Sequence, residues 1–197
     1  LVPDGLVYGA GIGRFGKPQF FVAALECEER RGTSRVLIAG RELARDLDVA
    51  PAATRGDTIY VRRESLARML WEKVEAWAVR PGDGALKAAL DAHGFEAGSA
   101  AALERMVAAE TETLILHELG EREAAALLGP AWERSLCGFE RRGASIFMRA
   151  VRDHLADCLV TLPALVERDA QASLHLWAAS LDGMRRARLI SGGSLVS

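Results

Sequence analysis

Hydrophobic and polar positions follow two regimes along this chain. Residues 19–27 and 35–39 are short apolar blocks, and the polar stretch 28–34 between them carries Gly32. Two apolar runs joined in this way predict a hairpin with a longer loop. Residues 57–61 predict a further short strand. From residue 64 to 79 the period changes, and Leu66, Leu70, Val74 and Trp77 recur at helical spacing.

Breakers divide the remainder. Pro81-Gly82-Asp83-Gly84 ends the first helix, residues 86–90 predict a short second one, and His93-Gly94 closes it. Ser99 opens a long Ala-, Leu- and Glu-rich helix that Gly129-Pro130 stops near Leu128. Two more helices are expected over 145–168 and 170–190, the first bent or split at Pro163. The predicted fold is α+β. A small β-rich unit over 1–80, with a hairpin and one helix, precedes a predominantly α-helical bundle over 85–190 with three principal helices.

Composition excludes several classes. Half of the 197 residues are hydrophobic and 26% are charged, which suits a globular chain able to bury a core. Lys plus Arg (25) against Asp plus Glu (27) leaves a net charge of −2, so no global field recruits nucleic acid or an anionic membrane. The basic clusters Arg62-Arg63, Arg141-Arg142 and Arg185-Arg186-Ala187-Arg188 read as solvated element ends. Cys27, Cys137 and Cys158 are odd in number and far apart, a pattern of free thiols in a reducing compartment. No run approaches the ~18 apolar residues of a membrane span, and no secretory signal is legible. These features predict a cytoplasmic location. The apolar helices suit burial within one chain or against a second copy, so a homo-oligomer is allowed.

Candidate chemistry concentrates in the long helix. Residues advance about 100° each, which puts Glu110, His117 and Glu121 nearly on one line with Leu103, Val107, Leu114 and Leu128. Carboxylates and an imidazole on an apolar stripe are costly unless paired, hydrogen-bonded or bound to metal. His117 and Glu121 stand one turn apart, where two side chains are able to share a metal. His154 on the next helix is a third candidate ligand, with Glu110 or Asp157 completing the shell. Glu118 is the candidate general base on a bound water. This mixed N/O set suits Zn, Fe or Mn and does not choose among them. It predicts a metal-dependent enzyme, most naturally a hydrolase acting on an unnamed small molecule. The alternative is a non-catalytic interaction or scaffold protein whose polar core residues fix helix register.

Other motifs weigh less. None of the four histidines has Glu three residues earlier, which disfavours a di-iron carboxylate bundle. Gly11-Ile12-Gly13-Arg14-Phe15-Gly16 satisfies G-x-G-x-x-G, but Lys17-Pro18 and an apolar run follow it. That context favours a strand over the helix a pyrophosphate site needs, and no nucleotide is expected. The four tryptophans read as packing residues.

Two resemblances attach to these segments. His117-Glu118-Leu119-Gly120 resembles the active-site helix of zincin metallopeptidases, whose pattern is H-E-x-x-H. This chain departs from that pattern at Glu121, and the segment is expected between helices rather than beside a sheet edge. Residues 11–21 (GIGRFGKPQFF) and 39–46 (AGRELARD) resemble an uncharacterised family of bacterial proteins. That resemblance implies a bacterial intracellular protein and no particular reaction.

Overall fold

The computed structural model describes residues 3–12, 18–46, 50–95, 99–138 and 142–192. The fold is α+β. Five strands come first: β1 (Leu6–Ile12), β2 (Pro18–Arg31), β3 (Ser34–Arg45), β4 (Ala52–Arg55) and β5 (Thr58–Arg62). They form one sheet in the order β1-β2-β3-β5-β4. All neighbours are antiparallel except β3 and β5, which run parallel. The sheet curls far enough for Arg55 of β4 to donate to the Ala10 carbonyl of β1, 2.9 Å away.

The expected hairpin exists with a tighter turn than the sequence suggests. Arg31 pairs with Ser34, leaving Gly32 and Thr33 as a two-residue loop. Gly32 takes φ 58°, the positive value that the first position of a primed hairpin turn demands. The charged residues 28–31 therefore belong to β2 rather than to a loop. The four-residue β4 was not expected. It is too short to show a pattern in sequence, and its pairing with β5 makes it a strand.

Helices follow: α1 (Arg63–Val79), α2 (Ala85–Ala92), α3 (Ala100–Gly138), α4 (Arg142–Ala156), α5 (Leu162–Glu167) and α6 (Gln171–Gly192), with a π-helical turn over Asp157–Thr161. Gly129 interrupts α3 with non-helical φ 72° and ψ 177°, at the predicted break. The α2 end is a Schellman motif: the Phe95 N–H bonds the Leu90 carbonyl and the Gly94 N–H bonds that of Asp91. Two apolar clusters centre on α3. Met106 and Val107 pack with Leu66, Leu70 and Leu90, and Ile115 packs with Val36, Ile59 and Val61 of the sheet.

A buried ionic knot ties the sheet to α1. The Glu42 side chain, 2% exposed, faces Arg62, 1% exposed, at 2.6 Å. Glu42 also accepts from the Ser65 hydroxyl at 2.7 Å and pairs with Arg45 and Arg68. The Arg62 guanidinium lies 4.7 Å from the Phe21 ring centre, a cation–π contact in a desolvated setting. Burial lowers the Arg62 pKa, and the Glu42 carboxylate opposes that shift.

Candidate functional site

Helix α3 is the spine of the candidate site, and Gly120 sets how closely its neighbour approaches. A Cβ at Gly120 would stand 2.4 Å from the Ala156 carbonyl oxygen, inside contact distance. The bare glycine therefore lets the backbone entering the π turn rest directly on α3. The π turn itself follows from Pro163. Proline supplies no N–H for the Leu159 carbonyl, and its ring crowds that carbonyl. The chain widens instead, and the Leu162 N–H bonds back to the Asp157 carbonyl, five residues earlier.

This contact brings Asp157 to His117. The His117 Nδ1 stands 2.7 Å from Asp157 Oδ1, and Trp177 Nε1 of α6 donates to Asp157 Oδ2 at 2.8 Å. An ionised carboxylate only accepts, so Nδ1 carries the hydrogen and donates. His117 Nε2 lies 3.7 Å from Glu121 Oε1, beyond hydrogen-bond length. Arg152 of α4 donates to the same Glu121 oxygen at 2.9 Å and reaches Asp153 at 3.2 Å. Glu118, 7% exposed, accepts from the Thr54 hydroxyl of β4 at 2.6 Å.

Burial pushes the His117 pKa down, but the Asp157 hydrogen bond and the Asp157, Glu121 and Glu118 charges more than offset it, so the pKa is raised. Burial pushes Asp157 up, and the hydrogen bonds from His117 and Trp177 bring it below its ordinary value. Burial dominates for Glu110, Glu118 and Glu121, whose carboxyls are raised. The linkage signs follow. The His117 contribution to stability is complete below 6.5 and lost as pH rises through the higher folded value. The Asp157 contribution is present above 3.8 and lost as pH falls through its lower folded value. The pair therefore stabilises most between those two values. NMR titration of the imidazole should give a His117 midpoint above 6.5, and Asp157→Asn should lower it. An unchanged midpoint would remove Asp157 as the cause.

The expected metal ligands do not converge in this arrangement. Glu110 lies seven residues before His117, about 10 Å along the helix, and accepts from Ser173 of α6 at 2.7 Å. His154 is half-buried on α4 and takes no part in the hydrogen bonds of the His117 cluster. Glu121 already faces Arg152. Among the described residues, no three His, Cys, Asp or Glu side chains are grouped to hold a metal. The HELG segment also lies nearer the sheet than its sequence setting suggested, since Glu118 touches the edge strand β4.

Asp157, expected to help complete a metal shell, hydrogen-bonds His117 directly. Periodicity carried straight through the π turn puts Cys158 and Leu162 on the buried face. From the turn's entry onward the buried residues are instead Ala156, Asp157, Thr161 and Leu165, a phase that the wider turn sets. Trp177, expected only to pack, orients Asp157. Arg152, Thr54 and Gly120 were not singled out. Gly120 carried a legible signal, since a mid-helix glycine costs about 1 kcal/mol and usually has a packing reason.

The glycine run is split by the β1–β2 connection. Gly11 lies on β1 opposite Gln19 of β2, whereas 13–17 fall outside the described residues. The segment after the run is the expected strand. Two open surface hollows, one by Gly129 and Pro130 and one by Trp77 and Lys87, include none of the His117 cluster. No helix among the described residues is long and apolar enough to cross a membrane.

No curated protein and no solved structure matches the chain. The family comparison does match, in two segments whose seam falls at the start of α1. Residues 1–62 match the N-terminal domain, and residues 67–190 the C-terminal domain, of a family of unknown function. The chain, a curled sheet joined to a helical region, therefore belongs to the family of unknown function DUF6866.

Proposed function

We propose that this chain is a non-catalytic scaffold or interaction module, with α3 as the rod that holds its other elements in register. One observation carries this reading. Between Glu110 and Arg122, the ionisable side chains of α3 are committed to partners on other elements. Glu110 meets Ser173, Glu112 meets Arg31 and Arg168, His117 meets Asp157, and Glu118 meets Thr54. Glu121 meets Arg152, and Arg122 meets Gly56 and Asp57. Buried polar groups satisfied in this way specify geometry.

The metal-dependent hydrolase reading competes for the same residues. One feature favours it: a carboxylate holds Nδ1–H of His117, the usual support of a metal-ligating imidazole. Arg152 weighs against it, because a cation already faces Glu121. Elemental analysis of the protein and of His117→Ala, with melts in chelator, separates the two. The scaffold reading expects no stoichiometric zinc, iron or manganese and no chelator effect on Tm. It also expects His117→Ala to cost about 1–3 kcal/mol through the stranded Asp157 carboxylate. Stoichiometric metal lost in the variant, with a chelator-sensitive Tm, would overturn it.

A further inference from the structure

The surface hollow where α1 ends and α2 begins, floored by Leu176 and Ala179 of α6, has a charge pattern that the scaffold role does not use. Its volume is about 350 Å³. Lys73, Arg80 and Lys87 line it, and Asp83 is the one carboxylate among its described lining residues. Lys87 is engaged with Asp91 at 2.6 Å. Lys73 is half-buried on α1, and neither it nor Arg80 has an ion pair or a side-chain hydrogen bond among the described residues. With Lys87 engaged by Asp91, Lys73 and Arg80 outweigh Asp83 and leave the hollow net positive over apolar walls, a setting that concentrates anions.

The wall is also preformed. Trp77 Nε1 donates to the Gly82 carbonyl at 3.1 Å, which pins the Pro81–Gly84 loop against α1. Nothing lies within 4 Å of where a Cβ would stand at Gly82 or Gly84, so the loop backbone is open to a ligand on that side. Arg80 offers a planar fork and Lys73 a point charge, the two donor types that grip phosphate oxygens.

We propose that this hollow binds a soluble small molecule through a phosphate or pyrophosphate group. The site stands apart from the His117 cluster, so it holds whether α3 is a scaffold or carries chemistry.

Pyrophosphate titrated into isotope-labelled protein at low salt tests it. Saturable amide shifts confined to residues 73–87 and 176–179, with Kd near or below about 1 mM, are the expected result. The affinity should fall as salt is added. It should drop by about tenfold or more in Lys73→Gln/Arg80→Gln, with the melt unchanged. Arg80 is exposed, so Arg80→Gln alone gives a second variant that keeps its fold, with a smaller loss. No saturable shift, shifts scattered over all surface cations, or equal affinity in both variants would overturn the proposal. Phosphatidylcholine vesicles with and without phosphatidate test the source. No cosedimentation is expected, and cosedimentation lost in the double variant would overturn the soluble assignment.

Discussion

Glu42→Ala is expected to destabilise the protein by about 3–5 kcal/mol, the usual cost of stranding one partner of a buried ion pair. The Arg62 guanidinium, 1% exposed and 2.6 Å from Glu42, would lose its counter-charge without gaining water. Its hydrogen bond to a backbone oxygen, from Nη1 to Ala50 at 3.2 Å, does not neutralise it. Ser65 and Arg68 would lose their acceptor as well. Urea unfolding measures the loss. Adding Arg62→Met to Glu42→Ala should recover part of it, because the stranded buried charge is then gone, although the Glu42 side-chain volume stays unfilled. A single-variant loss under 1 kcal/mol, or no recovery in the double variant, would show that water reaches this knot.

Gly120→Ala should cost about 1–3 kcal/mol by overpacking, and more if α3 and the π turn cannot part. The added methyl would meet the Ala156 carbonyl oxygen at 2.4 Å and its carbon at 2.9 Å. Both are backbone atoms, so no side chain is free to swing aside. The methyl should also pull Asp157 from His117, lowering the imidazole pKa. Unfolding free energy and a His117 titration read the two effects separately. A stable variant with an unchanged His117 midpoint would mean that the π turn yields without cost. A loss of stability with the midpoint kept would place the strain elsewhere on α3.

Different parts of the site were legible to different degrees. The stripe of Glu110, His117 and Glu121 identified α3 as the helix carrying buried polar groups, and Glu110 and Glu118 are buried there. Which group each one meets was not legible. Glu110 and His117 share a face, yet two turns of helix separate them, and each meets a different element. Helical spacing reports direction around the axis and is silent about what stands opposite.

By itself the sequence determined the α+β class, the hairpin, the start and end of α1, and the break at Gly129, because these rest on local periodicity and on residues that stop a helix. It also determined that something unusual happens at Pro163. Only the tertiary structure decided that the response is a π turn, that Gly120 admits it, and that Asp157 rather than His154 faces His117. Those outcomes depend on backbone phase and on contact between segments 40 residues apart. A single wide turn rotates every side chain beyond it, and no pattern of hydrophobic and polar letters records that rotation.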